Sequence, residues 1–287
     1  MTDHDGAFRS GFVALVGRPN VGKSTLVNTM VEQKVSIVSD KAQTTRHEVR
    51  GVLTRPDSQL VFVDTPGVSK PRTALGGRLN DTAASARSGV DAVCLLVDAH
   101  SGVGKGDRFL AEQLDRSLHT VGILNKIDGL APERVLGQLE ALSQFNLDAY
   151  FPVSAFTGRG VEPLVDHLVD HLPAGPHWYP ADQISDTPDQ QWVAELVREQ
   201  LLRVTREEVP HSVATRVTEW EWPRIRVEIL VERDSQKGIV IGKGGQVLKE
   251  VGSVVRRQLP PGAYLELFVT VAPNWQHDRH TIERLGY

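Results

Sequence analysis

"VALVGRPNVGKST", residues 13–25, runs from an apolar strand-like stretch through a glycine-rich turn into a helix-forming segment. Its centre, "GRPNVGKS" (17–24), fits G-x-x-x-x-G-K-S, a pattern that binds phosphate when a strand precedes it and a helix follows. Both conditions are met here. The amides from Asn20 through Val21 and Gly22 to Ser24 are then aimed at an anion near a helix N-terminus, where the backbone dipole favours negative charge. Lys23 is expected to bridge β- and γ-phosphates, and the Ser24 hydroxyl to ligate magnesium. Gly17 and Thr25 bound the loop and complete its nucleotide-binding set.

Outward from this loop, the apolar runs "FVALVG", "LVFVDT", "AVCLLVDA", "TVGILN" and "AYFPVS" alternate with helix-length segments. Short buried strands separated in this way predict a doubly wound α/β domain with a mostly parallel sheet, assigned to residues 1–173. The stretch "HLPAGPHWYPADQISDTPDQ" breaks the pattern with proline and aspartate, and residues 174–189 read as a linker. From 190 to 287 the order becomes helix, two strands, two helices, strand. That predicts a smaller α+β domain.

The phosphate loop cannot separate ATP from GTP, but "NKID" at 125–128 can. Asp128 would accept from guanine's ring N–H and exocyclic amine together, a donor pair that adenine lacks. A buried group left unpaired costs ~1–3 kcal/mol, enough to discriminate. Asn125 would tie the base to the first loop, and the stem of Lys126 would lie along it. "SAF", Ser154–Phe156, follows a further strand and offers the Ala155 amide to guanine O6. Between these motifs lies "DTPG", where Asp64 is placed to hold magnesium through water and the Gly67 amide to sense the γ-phosphate. "QTTRH" (43–47) supplies a threonine that ligates magnesium only with GTP bound, Thr45 first and Thr44 second. Asn20, Lys23, Thr45 and Gly67 are the residues assigned to catalysis.

A second glycine–lysine loop, "IGKGGQ" (241–246), has no Lys-Ser or Lys-Thr pair before its helix and is no second Walker loop. It fits G-x-x-G as Gly242, Lys243, Gly244 and Gly245, the signature of a KH domain, whose loop clamps about four single-stranded nucleotides. The element order matches the type II arrangement. Ile239, Val240, Ile241, Val247 and Leu248 would form an apolar wall for unstacked bases. Residues 180–287 hold 14 basic and 16 acidic side chains, so this is no general polyanion binder. Locally the balance reverses. Arg233, Lys237, Lys243, Lys249, Arg256 and Arg257 face only Asp234 and Glu250, a focused patch of +4 suited to a short RNA strand.

"GRPNVGKST", "KAQTTRH", "DTPGV" and "NKID", in this order, resemble the Era and MnmE branch of the translation-factor-related GTPases. Joined to a KH domain, they resemble the Era family of bacterial ribosome-assembly GTPases over nearly the whole chain. That resemblance implies a GTP-hydrolysing switch that binds the 3′ end of 16S ribosomal RNA and assists maturation of the 30S subunit. It implies slow intrinsic turnover, because Val68 stands where Ras-like proteins place a water-positioning glutamine. It also implies a potassium ion seated by Asn20, a monomer, and a cytoplasmic location with peripheral contact at the inner face of the membrane. Thr270, Ala272 and Pro273 replace lysines frequent in the family, which predicts weaker RNA or membrane affinity.

Three other readings compete. A tRNA-modifying GTPase of the MnmE type would carry a C-terminal catalytic cysteine motif, whereas the single cysteine, Cys94, lies in a strand and reads as a buried hydrophobe. An RNA chaperone with a structural nucleotide, and a membrane-linked cell-cycle GTPase, remain distinguishable by turnover and by liposome sedimentation. One cysteine builds no intrachain disulfide or zinc site and suggests a reducing interior. "MTDHDGAFRSGF" lacks the apolar core of a signal peptide, and no apolar run approaches the ~18 residues of a spanning helix. The histidines read as scattered, without ligand spacing, so no metal beyond the nucleotide's magnesium is expected.

Overall fold

The computed structural model describes residues 7–287; the acidic stretch 1–6 lies outside the described residues. The chain divides into two compact units. The first holds a six-stranded sheet of order β2-β3-β1-β4-β5-β6, in which only the β2–β3 pair is antiparallel. Its elements run β1 (Arg9–Gly17), α1 (Lys23–Val31), β2 (Val49–Thr54), β3 (Ser58–Asp64), α2 (Ala74–Ser85), of which only the part from Leu79 on clusters here, β4 (Ala92–Asp98), α3 (Lys105–Glu112), β5 (His119–Asn125), α4 (Pro132–Ser143), β6 (Ala149–Pro152) and α5 (Val161–His171). Residues of β1, β3, β4 and β5 point alternately into two apolar clusters, such as Val13 and Leu15 on one face and Ala14 and Val16 on the other. A parallel sheet covered on both faces needs strands apolar throughout, which is what made them legible as continuous runs. Cys94 is buried in this core, and burial pushes its thiol up to about 12, so it packs and does not react.

Connection geometry places the chemistry. In a doubly wound sheet, loops that bind ligand leave the carboxyl ends of the strands. Here β1 ends in the first glycine loop, β3 ends at Asp64, β5 ends at Asn125, and Ser154 follows β6. All these motifs therefore share one edge.

The stretch expected as a linker is laid on the first unit. Val52 donates to the Ile184 carbonyl at 2.8 Å, and the Gln59 side chain accepts from the amides of Trp178 and Tyr179. Residues up to Asp186 belong to this unit because their backbone groups find partners there.

The second unit contains α6 (Asp189–Val204), α7 (Val209–Ser212), β7 (Ala214–Glu221), β8 (Arg224–Val231), α8 (Asp234–Ile241), α9 (Gln246–Arg256), β9 (Tyr264–Val271) and α10 (Arg279–Arg284). Its sheet has the order β7-β8-β9, with β7 antiparallel and β9 parallel to β8. The apolar residues Val193, Leu196, Val197, Leu201 and Leu202 of α6 are all buried in the second unit's core, with β7 and α9 as the elements packed on the helix. That packing accounts for them. Among the described residues, no helix is long and apolar enough to cross a membrane.

Candidate functional site

The first glycine loop is held by backbone geometry. Gly22 adopts φ +97°, and a Cβ there would meet Asn125 Nδ2 at 2.3 Å, so glycine is required twice over. Lys23 begins α1 and turns its ammonium back onto the carbonyls of Gly17 and Arg18, at 3.1 and 3.2 Å. Burial pulls its pKa from 10.5 down to about 8, while Asp64 acts in the opposite sense. A desolvated ammonium poised over a ring of amides is matched to a phosphate, which would restore its charge.

The NKID motif, residues 125–128, is tied to that loop by side chains. Asn125, buried, donates Nδ2 to the Val21 carbonyl at 2.8 Å and accepts from the Ala155 amide at 2.9 Å. Lys126 donates to the Asn20 carbonyl at 2.6 Å and to Asp98 at 2.8 Å. Asp128 accepts from the Ser154 hydroxyl at 2.6 Å, which orients its carboxylate. Three segments far apart in sequence thus meet through side-chain hydrogen bonds. Val21 contributes its carbonyl while its side chain joins the core, and Thr25 lies on α1 with its carbonyl accepting from Thr29. Phe156 is 84% exposed, so its side chain packs on nothing here.

Three oxygens gather beside Lys23. Ser24 Oγ and Thr45 Oγ1 lie 2.8 Å apart, and Thr45 Oγ1 stands 3.4 Å from Asp64 Oδ2. Asp64 also accepts from Ser36 at 2.8 Å, is fully buried, and keeps its Oδ1 without a hydrogen-bond partner. Desolvation pushes the Asp64 carboxyl above its ordinary range. A buried carboxylate with one orphaned oxygen beside two hydroxyls is an all-oxygen donor set, which fits magnesium. Of the two threonines weighed from sequence, Thr44 turns away. Its hydroxyl donates to the Lys41 carbonyl and pairs with Ser39. His47 is half-buried in the same loop. Gly67 approaches Pro19 so closely that a Cβ would lie 2.7 Å from Pro19 Cα, and Val68 packs on the core beneath.

The second glycine loop is a turn, Lys243–Gly245, between α8 and α9. Gly242, Gly244 and Gly245 have φ of +73°, +61° and +78°. A Cβ on Gly242 would strike Val247, while Gly244 and Gly245 face open space that a sugar–phosphate chain can enter. Lys243, Lys249, Arg256 and Arg257 are exposed and Lys237 is half-buried. The apolar wall is smaller than expected. Val240 is wholly buried in the core, and Ile241, Val247 and Leu248 pack partly on it, leaving Ile239, 52% exposed, as the apolar surface. A helix of this length must spend one face on its own core.

Two features escaped the sequence reading. The segment Ile37–Thr44, which leads into Thr45, clusters with the second unit. There Val38 donates to Glu199 at 3.0 Å, and the buried Arg198 guanidinium donates to the Thr44 carbonyl while paired with Glu195 at 2.5 Å. No local pattern announces this, since the partners lie more than 150 residues apart. The histidines are also not scattered. His167 and His171 stand four apart on α5 and meet His119, an H-x-x-x-H spacing legible in "HLVDH".

Residues 12–126 match the family described as 50S ribosome-binding GTPase, and residues 208–276 match the KH domain family. Among solved structures, the chain is similar to Era in complex with MgGDPNP and nucleotides 1506–1542 of 16S ribosomal RNA. The TM-score is 0.93 at 36% identity, covering 98% of this chain and 99% of that one. It is similar, too, to an Aquifex aeolicus Era variant bound to GDP.AlF4−, with a TM-score of 0.92, 36% identity and the same coverage.

Proposed function

Since the chain belongs to the Era family of GTPases, we propose that it is a GTP-hydrolysing switch that binds the 3′ end of small-subunit ribosomal RNA and assists 30S maturation. The observation that carries the nucleotide half is the tie of Asn125 to Val21 and Ala155, which joins base selection to phosphate binding. The RNA half rests on the open face over Gly244 and Gly245 beside exposed Lys243.

The proposed roles follow from position. Asp128, held by Ser154, selects guanine, and the Ala155 amide, which donates to Asn125 here, would be shared with the base's carbonyl oxygen. Lys23 exchanges the carbonyls of Gly17 and Arg18 for phosphate oxygens. Ser24 and Thr45 would hold magnesium directly and Asp64 through water; the ion supplies positive charge against the transferring phosphoryl group. The Gly67 amide reports the γ-phosphate through the turn packed on Pro19. Val68 contributes no polar group to a water, which supports slow intrinsic hydrolysis. Asn20, whose carbonyl is fixed by Lys126, is the proposed potassium ligand. In the second unit, Lys237, Gly242 to Gly245, Lys249, Arg256 and Arg257 form the proposed RNA contact. A cytoplasmic monomer with weak peripheral contact at the inner face of the membrane belongs to the same reading, and liposome sedimentation tests that last part.

The deciding experiment is steady-state GTP hydrolysis in magnesium, with and without potassium, alone and with an RNA of the small-subunit 3′ end. ATP and a scrambled RNA serve as controls. Slow turnover confined to GTP and stimulated by the cognate RNA is expected. RNA binding without turnover under any condition would leave a chaperone whose nucleotide is structural.

A further inference from the structure

We propose that His119, His167 and His171 form a binding site for a borderline-soft divalent cation of the zinc class, at the end of the first unit's sheet opposite the nucleotide loops. His119 opens β5 and Asn125 closes it, so about 20 Å of strand separates this cluster from the guanine motif. His167 and His171, at i and i+4, project from one face of α5 toward that strand start. One ligating nitrogen from each ring lies within 4.8 Å of the other two. His119 Nε2 and His167 Nε2 are already 2.9 Å apart, and two nitrogens on one tetrahedral zinc, each at 2.0–2.1 Å, stand roughly 3.3 Å apart.

The surrounding groups orient the rings. His171 Nδ1 lies 2.7 Å from the His167 carbonyl, which can only accept, so Nδ1 carries a proton and Nε2 is the nitrogen left to meet a metal. His119 Nδ1 stands 3.7 Å from Asp148 Oδ2, and Asp148 is itself anchored by the amide and hydroxyl of Thr120 at 2.7 and 2.8 Å. When an ion displaces the proton shared by the two Nε2 atoms, that proton moves to the Nδ1 of its own ring. On His119 it then faces a carboxylate. Burial, followed by repulsion from neighbouring imidazoles, lowers the pKa of His119 and of His167, against the opposing pull of Asp148 on both and of Asp170 on His167.

The rings of His119 and His171 lie parallel, 7° apart with centroids at 4.0 Å, so both cannot aim at one ion as they stand. His171 is exposed and is the last residue of α5, and on binding it would turn, giving up its Nδ1 bond to the His167 carbonyl. Three imidazoles leave a fourth position for water. The set suits zinc, cobalt, nickel or copper and not magnesium, which prefers oxygen.

The test uses the full chain saturated with magnesium and GDP, so that the nucleotide site is filled. Cobalt is titrated for its ligand-field absorption, and zinc is measured by displacing it. One equivalent is expected, with affinity falling as pH drops through the histidine range and with no competition from added magnesium. His171→Ala and His119→Gln should each weaken binding by about ten-fold or more, and Asp148→Asn by less, since it acts through His119. GDP affinity, unchanged in all three, shows that the variants fold. Absence of binding in the natural chain would overturn the proposal, as would binding that all three substitutions leave unaltered.

Discussion

Lys23 is the residue whose environment makes the sharpest forecast. Its pKa of about 8 in the nucleotide-free protein is depressed by burial, and phosphate oxygens would raise it again. The bound state therefore holds more protons than the free state between pH 8 and the raised value. Nucleotide binding above pH 8 should take up a proton, and affinity should fall as pH rises there. Calorimetry in two buffers of different ionisation enthalpy reads that proton directly. Asn125 allows a second forecast. Asn125→Ala leaves the Val21 carbonyl and the Ala155 amide without their buried partner, at roughly 1–3 kcal/mol, and should weaken GDP and GTP alike. Equal loss for both nucleotides distinguishes pocket assembly from γ-phosphate sensing. Both residues were legible in sequence because each sits inside a contiguous motif. Asp64's orphaned oxygen was not legible, because it depends on which hydroxyls the fold delivers.

Among the elements, the turn between α8 and α9 separates stability from binding. Gly244, at φ +61° with nothing near its absent Cβ, is in the left-handed region that aspartate tolerates. Gly244→Asp should lower unfolding free energy by no more than about 1–2 kcal/mol, the usual strain of a side chain in that region. It should nevertheless cut RNA affinity by about ten-fold or more, since its charge opposes the phosphates where the chain must pass. Denaturant melts and salt-dependent RNA titrations check the two halves. Loss of the fold would mean the turn is structural. The G-x-x-G spacing revealed the turn, yet the sequence overstated its apolar wall. A strip of apolar residues does not disclose which members face the core, and Val240 went inward while Ile239 stayed out.

For the molecule as a whole, the loop carrying Thr45 is continuous with a segment packed in the second unit. Arg198 is the anchor there, buried, paired with Glu195 and donating to Thr44. Arg198→Met breaks that pair and should destabilise the second unit by roughly 3–5 kcal/mol. It should also lower affinity for a GTP analogue more than for GDP, because Thr45 serves only the triphosphate state in the proposed cycle. Urea unfolding and the ratio of the two affinities measure this, and an unchanged ratio would remove Arg198 from the switch. The sequence by itself determined the two-domain grammar, the phosphate loop, the separate NKID motif and the G-x-x-G turn. Each is written in neighbouring residues whose backbone geometry is local. The tertiary structure alone decided that 37–44 belongs with the second unit, that 174–186 lies on the first, and that His119 closes on α5. Those are contacts between residues distant along the chain. Strand order and helix packing set them, and no short spacing encodes either.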